Sequence, residues 1–218
     1  MNLHLSKRNL TDEVVDIIRR LILNGTFKPG DKINQAQLAE ELVISRGPIR
    51  EALRLLENEG LIQHIPNRGT YVSTLSKKDA YEIYSLRAWL EEKGAELAVE
   101  NLTSNHFEHL EQLIVESEQT SIHKDLEKMM RLDFQFHGLI IEQSRHSRLI
   151  SMHRQLDIQL GAMFLTMATN VPVRIQQFAT NHTSLLEALK SSDTGRIRKT
   201  FSDHYLEALK DLSVRHIE

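Results

Sequence analysis

Four side chains in the second half of the sequence have the chemistry of metal ligands: Asp133, His137, His182 and His204. Asp133 and His137 are four residues apart, so their side chains project side by side from a helix. His182 and His204 follow on two later segments, and all four fall on otherwise apolar faces of predicted helices. Imidazole nitrogens together with a carboxylate oxygen suit a divalent cation such as Zn²⁺, Ni²⁺ or Mn²⁺.

The inward position of these groups is the reason for expecting a metal. An unpaired buried carboxylate or imidazole costs several kcal/mol, so such groups must find one another, water or an ion. A single inward histidine is more often a hydrogen-bonded core residue than a ligand, whereas one aspartate with three histidines is an unusual combination. We therefore predict a divalent metal site, with a hydrogen-bonded polar core as the alternative.

A second group of side chains has the chemistry of DNA recognition. One side of a predicted helix carries four polar side chains, at successive steps of one, four and four residues: Ser45, Arg46, Arg50 and Arg54. An arginine fork bonds two guanine acceptors at once, so we expect Arg46 and Arg50 to read bases. Arg54 is expected to contact a phosphate, and Ser45 to cap the helix and contact a phosphate. The alternatives are solvated surface arginines or a domain that contacts another protein.

The sequence Pro66-Asn67-Arg68-Gly69 predicts a turn that adds a further contact with DNA. Gly69 allows the backbone to approach DNA without a side-chain clash. We expect Asn67 or Arg68 to reach a phosphate or the minor groove.

The elements that must position the arginines form a winged helix-turn-helix. Apolar periodicity predicts helices over 11–23 and 35–42. A third helix follows, with Ser45 as its cap. Short extended segments at 61–64 and 70–73 flank the turn and predict a β-hairpin, the wing.

Helical periodicity continues through the rest of the chain, without a further strand signal. The predicted helices cover 77–101, 104–120, 123–144, 147–169, 172–190 and 194–214. We therefore expect a mainly α protein, with a winged helix-turn-helix DNA-binding domain over 1–75. An all-α helical bundle over 76–218 would bind the metal and an effector and would form the dimer.

Composition excludes several classes of protein. The 218 residues contain no cysteine, which excludes disulfides and thiolate metal sites. No apolar run approaches the roughly 20 residues that cross a bilayer, so we expect a cytoplasmic protein without a membrane partner. The formal net charge of -3 gives no argument for DNA binding, and the argument depends on where individual arginines lie.

The first domain resembles the GntR superfamily of bacterial transcription regulators. The similarity extends over nearly all of 11–73, and its most characteristic part is the run Pro48-Ile-Arg-Glu-Ala-Leu53. The resemblance implies DNA contacts by Ser45, Arg46, Arg50 and Gly69. Ala36 stands where many relatives have a basic residue, and Gly47 replaces a side chain that often contacts DNA. We therefore expect one or two of the family's contacts to be missing.

The helical half resembles the FCD-type ligand domain of the FadR branch of that superfamily. Metal-binding members have Asp-x-x-x-His on one helix and a histidine on each of two later helices. Those places are matched here by Asp133, His137, His182 and His204. Arg87 and Glu91 resemble the family's opening Arg-x-x-x-Glu, which implies that Arg87 binds an effector carboxylate. The alternative is an ion pair with Glu91 on the helix surface. His153 matches no family ligand and is expected to line a pocket or the core.

These observations predict a homodimeric, ligand-responsive transcription regulator rather than an enzyme. It would bind a double-stranded DNA operator as a dimer, because one recognition helix covers too few bases for useful selectivity. The helical half would hold a divalent metal and a small organic acid. The alternatives are a sensor of metal alone and a metal-dependent hydrolase fused to a DNA-binding module, with His153 as the candidate base.

Overall fold

The computed structural model describes residues 10–74, 76–123, 125–170 and 178–214. The chain divides into two compact units between Thr74 and Leu75.

The first unit is a small helical domain with an antiparallel sheet. Its elements are α1 (Leu10–Leu23), β1 (Lys32–Ile33), α2 (Gln35–Glu41), α3 (Arg46–Asn58), β2 (Ile62–Ile65) and β3 (Gly69–Val72). The strand order is β1-β3-β2, and the hairpin register pairs Ile62 with Val72 and His64 with Thr70. This arrangement confirms the predicted winged helix-turn-helix. β1 was not predicted, because its two residues are too few to show a strand period.

Local contacts fix the direction of α3. Asn34 caps α2, because its side-chain oxygen accepts hydrogen bonds from the backbone N–H groups of Ala36 and Gln37. Arg19 of α1 forms a two-pronged ion pair with Glu59, the C-cap residue of α3, at 2.6 and 3.0 Å. The inner face of α3 is buried through Ile49, Ala52, Leu53 and Leu56. With its inner face packed, α3 presents its arginines outward.

Val43 lies in the turn between α2 and α3 in an unfavourable conformation. Its φ of 54° is left-handed, and its side chain is 89% exposed. This conformation costs an L-residue about 1–2 kcal/mol, and asparagine adopts it more readily than a β-branched residue does. We expect Val43→Asn to raise the free energy of unfolding by about 1 kcal/mol in urea denaturation. Val43→Ala is the control: alanine also has a Cβ in the left-handed conformation, so its free energy of unfolding should rise less. Equal free energies of unfolding for Val43→Asn and wild type would show that Val43 is not strained.

The described part of the second unit contains helices joined by short connections, and no strand. Its elements are α4 (Lys77–Ala98) with a short 3₁₀ turn (Val99–Asn101), α5 (Ser104–His123), α6 (Leu126–Gln143), α7 (Ser147–Asn170), α8 (Phe178–Ser191) and α9 (Thr194–Val214). The predicted mainly α fold is therefore confirmed. The start of the predicted helix 172–190, at 172–177, lies outside the described residues. None of the described helices is both long and apolar enough to pass through a bilayer.

α4 is the central helix of this unit, and it packs against α6, α7 and α9. It begins with a capping box, in which Ser76 and Asp79 exchange side-chain to backbone hydrogen bonds at 3.0 and 3.1 Å. Buried apolar side chains from α4, α5, α6, α8 and α9 form one core cluster, which includes Ala95, Leu110, Phe136, Leu189 and Phe201. Polar side chains on the inner faces of α4, α6, α8 and α9 therefore lie close to one another.

Candidate functional site

The N-terminal end of α3 carries the predicted DNA-reading side chains in exposed positions. Arg46 and Arg50 are exposed, and neither forms an ion pair with any described residue. Ser45 occupies the N-cap position, but within the described chain its hydroxyl makes no capping hydrogen bond. The expected capping hydrogen bond of Ser45 is therefore wrong. Its exposed hydroxyl remains available to a phosphate.

Arg54 lies one turn farther along α3 and is also exposed. Its Nε lies 3.7 Å from Glu51 Oε2, and the two side chains are 71% and 53% exposed. An ion pair between side chains this exposed contributes little to stability, so Glu51 would not compete strongly with a phosphate for Arg54. The assignment of Arg54 to a phosphate stays a prediction.

The wing brings together Arg68, Gly69 and a lysine that sequence analysis did not select. Gly69 has a φ of +113°, which a residue with a side chain rarely adopts. A Cβ at this position would also lie 3.2 Å from Cε of Lys32. Arg68 is exposed at the tip. Lys32 was missed because β1 was missed, and its pairing with Tyr71 of β3 places this cation beside the wing.

The predicted metal ligands meet in the interior of the second unit. Asp133 and His137 come from α6, His182 from α8 and His204 from α9. His137 Nε2 lies 3.1 Å from His182 Nε2, and His182 Nε2 lies 3.3 Å from Asp133 Oδ1. One ring nitrogen from each of the three histidines can be chosen so that all lie within 4.8 Å of one another. His137 and His182 are 0% and 1% exposed.

Two of the separations among these ligand atoms fit a shared cation. Ligand atoms that are each about 2.1 Å from a metal lie roughly 3.0–3.4 Å apart at octahedral or tetrahedral angles. The distances between the two Nε2 atoms and from His182 Nε2 to Asp133 Oδ1 fall in this range, whereas Asp133 Oδ1 lies farther from His137 Nε2, at 3.8 Å. The 3.1 Å distance also fits an N–H···N hydrogen bond, which is the polar-core alternative.

Electrostatics favour the ionised carboxylate at this centre. Burial acts to raise the pKa of Asp133, but the hydrogen bond from His182 and the charge of His137 lower that pKa overall. For His137, burial acts to lower the pKa, and the nearby Glu91 carboxylate raises it overall. The Asp133 carboxylate is therefore ionised at neutral pH.

Arg87 is not on the helix surface. Its side chain is 0% exposed, and its ion pair with Glu91 at 2.7 Å is buried. The Nη1 atom donates to Asp157 Oδ1 at 2.6 Å and to the carbonyl of His153 at 3.3 Å. The alternative of an ion pair on the helix surface is therefore wrong in its location, because the Arg87–Glu91 pair forms but is buried. The Arg87 Nη2 group is buried without a hydrogen-bond partner among the described residues.

Glu91, His153, Asp157 and Tyr205 belong to the same buried network. His153 Nε2 and the Tyr205 hydroxyl lie 2.9 and 2.7 Å from Glu91 Oε1. His153 Nδ1 lies 3.6 Å from Asp157 Oδ2. Neither Asp157 nor Tyr205 was predicted to belong to a site. A signal existed for Asp157, because it stands four residues after His153, the same spacing that relates Asp133 and His137.

The position of His153 argues against the hydrolase alternative. A general base must reach a water or substrate with an available nitrogen. His153 Nε2 instead faces the Glu91 carboxylate, and His153 is 1% exposed. The candidate base is therefore engaged inside the network.

Two family models match the chain. The model described as "Bacterial regulatory proteins, gntR family" matches residues 10–72, and the FCD domain model matches residues 82–207. The first range contains α3 and the wing, and the second contains the predicted metal ligands.

Individual relatives agree with these models. The uncharacterized HTH-type transcriptional regulator YdhC of Bacillus subtilis (strain 168) is 39% identical over 134 residues, which are 61% of this chain and 59% of YdhC. The chain thus spans less than two thirds of the length of that relative. The HTH-type transcriptional regulator McbR of Escherichia coli (strain K12) is 30% identical over 187 residues, 85% of this chain and 84% of McbR. The solved structure of E. coli McbR/YncC has a TM-score of 0.72 at 27% identity and covers 95% of this chain and 99% of that chain.

A third relative aligns over most of the sequence. The gluconate operon transcriptional repressor of Bacillus licheniformis is 26% identical over 209 residues, which are 92% of this chain and 84% of the repressor. The named relatives are transcription regulators, which confirms the expectation of a regulator rather than an enzyme. This chain belongs to the gntR family of bacterial regulatory proteins and carries an FCD domain.

Proposed function

We propose that the protein is a homodimeric, DNA-binding transcription regulator whose helical unit binds a divalent metal and a small organic acid. The observation that carries the proposal is the buried network itself. It combines the four predicted ligand groups with a buried guanidinium that has an unsatisfied donor among the described residues. A purely apolar bundle core would not need such a network.

The target of the first unit is a double-stranded operator in the cytoplasm, where bacterial DNA lies. Arg46 and Arg50 would enter the major groove, and Arg54, Arg68 and Ser45 would contact phosphates or the minor groove. Two copies are required for selectivity, because one α3 reads only a few base pairs and paired half-sites supply the rest.

The metal would be held by Asp133, His137, His182 and His204. Nitrogen and carboxylate ligands suit Zn²⁺, Ni²⁺ and Mn²⁺ alike, and availability usually decides among them. On an octahedral ion, four protein ligands leave coordination positions that a carboxylate can fill.

The effector would be a small carboxylate that is bound next to this centre. Arg87 supports this assignment through its unpartnered Nη2, since a buried guanidinium donor suits a carboxylate oxygen. Arg87 is linked to His137 through Glu91, so the arginine and the ligand set belong to one network. A relative named for a gluconate operon fits this proposal, because gluconate is a small organic acid. Such an effector changes DNA affinity only if it binds one dimer geometry better than another.

Thermal unfolding tests the combined proposal. We expect Zn²⁺, Ni²⁺ or Mn²⁺ to raise the melting temperature of chelator-treated protein, because a ligand that binds only the native state stabilises it. A panel of lactate, citrate and gluconate should contain a further stabiliser that acts only when metal is present, and the matching neutral amides should not act. The stabilising acid should also change the affinity for operator DNA.

Two results would replace this proposal with one of its alternatives. Stabilisation by metal alone, with no response to any carboxylate, would indicate a sensor of metal. Hydrolysis of a small ester that is lost with chelation and in the His137→Ala variant would indicate an enzyme.

A further inference from the structure

Glu91 lies at the junction between the predicted metal ligands and the Arg87 network. Its side chain is buried, and it meets groups from α4, α6, α7 and α9. Oε1 lies 2.7 Å from Arg87 Nε, 2.7 Å from the Tyr205 hydroxyl and 2.9 Å from His153 Nε2. Oε2 lies 2.5 Å from His137 Nδ1.

The contact with Glu91 determines which ring nitrogen of His137 carries a proton. Glu91 forms a buried ion pair with Arg87 at 2.7 Å, and its Oε1 accepts a hydrogen bond from the Tyr205 hydroxyl. An ionised carboxylate can only accept hydrogen bonds, so Nδ1 of His137 must be the donor. In the neutral ring, the lone pair is then on Nε2. That atom faces His182 Nε2 at 3.1 Å and Asp133 Oδ1 at 3.8 Å.

We propose that Glu91 is the positioning residue for His137: its Oε2 fixes the Nδ1–H tautomer and turns Nε2 toward the metal. This inference rests on the metal site of the proposed function. A carboxylate behind a ligating imidazole orients the ring and increases its basicity, and its loss typically weakens metal binding by about 10- to 100-fold.

The two oxygens of Glu91 contact different groups, so its role toward His137 is distinct from neutralising the charge of Arg87. Oε1 faces Arg87 Nε, whereas Oε2 faces the imidazole. Arg87 also has a second carboxylate partner in Asp157, at 2.6 Å. The Tyr205 hydroxyl donates to Oε1 and holds the carboxylate in place, and Tyr205 directly follows the ligand His204 in α9.

Zn²⁺ affinity of the full chain, measured by competition with a chromophoric chelator, tests the inference. We expect Glu91→Gln to bind Zn²⁺ about 10- to 100-fold more weakly, because the neutral amide no longer stabilises the donor imidazole. Glu92→Gln, a charge-matched change at the adjacent position of α4, should stay within about twofold of wild type. Long-range ¹H–¹⁵N spectra of the Zn²⁺-loaded wild type should show a protonated Nδ1 and a metal-bound Nε2 on His137. An Nδ1-bound metal in those spectra would overturn the proposal.

A folded Glu91→Gln variant with wild-type Zn²⁺ affinity would also overturn it. If that variant does not fold, the ring-nitrogen assignment of His137 in the Zn²⁺-loaded wild type carries the test. A metal-bound Nε2 supports the positioning role, and a metal-bound Nδ1 rejects it. His182→Gln distinguishes the two proposals. If His182→Gln abolishes Zn²⁺ binding and Glu91→Gln leaves the Zn²⁺ affinity unchanged, only the role of Glu91 is rejected. If His182→Gln leaves Zn²⁺ binding unchanged, the metal site itself is rejected.

Discussion

Replacing Arg50 with alanine is expected to abolish sequence-specific DNA binding and to leave the dimer intact. Arg50 is exposed on α3 and has no ion-pair partner among the described residues, so its removal disturbs no internal contact. A bidentate contact from arginine to guanine contributes about 1–3 kcal/mol of discrimination, and a dimer would lose it in both half-sites. Affinity for operator DNA should therefore fall to the level of non-specific DNA.

The measurement needs an operator and a matched control. Duplexes selected from a random pool by the wild-type protein supply the operator, and fluorescence anisotropy gives the affinities. Arg54→Ala, one turn farther along α3, should weaken binding to selected and random duplexes alike and reduce the salt dependence. Unchanged affinity of Arg50→Ala for the selected duplex, with the dimer intact by light scattering, would refute the assignment of Arg50 to base reading.

Replacing His182 with glutamine is expected to remove the stabilisation of the protein by metal. His182 Nε2 lies within 3.3 Å of both His137 Nε2 and Asp133 Oδ1, so it is central to the ligand set. A metal at 100 times its Kd adds about 2.7 kcal/mol to the free energy of unfolding of wild type. At the same metal concentration the variant should gain almost none of this, because its affinity is greatly reduced.

Calorimetry of chelator-treated protein with and without Zn²⁺ measures this difference. His109→Gln is the matched control, because His109 is exposed on α5 and was assigned no ligand role. The control should respond to Zn²⁺ like wild type. A full Zn²⁺ response in His182→Gln would show that the buried histidines form a hydrogen-bonded polar core.

The DNA-binding unit could be predicted well from sequence because its signals are local. Helix periodicity, the position of Ser45 and the turn before Gly69 each involve residues close together in the chain. The errors have equally local causes. β1 has only two residues, and the Ser45 hydroxyl faces no capping partner in the described chain although it occupies the N-cap position.

The candidate metal centre was predictable for a different reason. Polar residues on apolar helix faces must find partners, so periodicity and residue type together selected Asp133, His137, His182 and His204. The same reasoning did not place Arg87, which was expected at a surface or an effector. Asp157 is 70 residues away from Arg87 in the sequence. Tyr205 contacts Glu91 and is 114 residues away from Glu91.

The sequence by itself determined the order of the elements, the outward-facing arginines of α3 and the set of ligand-type side chains that face inward. These properties follow from the helical and strand periods, which each segment carries without reference to the others. Only the tertiary structure decided that Arg87 is buried, that Glu91 faces His137 and that Lys32 lies beside the wing. Those contacts depend on how distant segments pack, and a one-dimensional pattern records which face of a helix is buried but not which neighbour covers it.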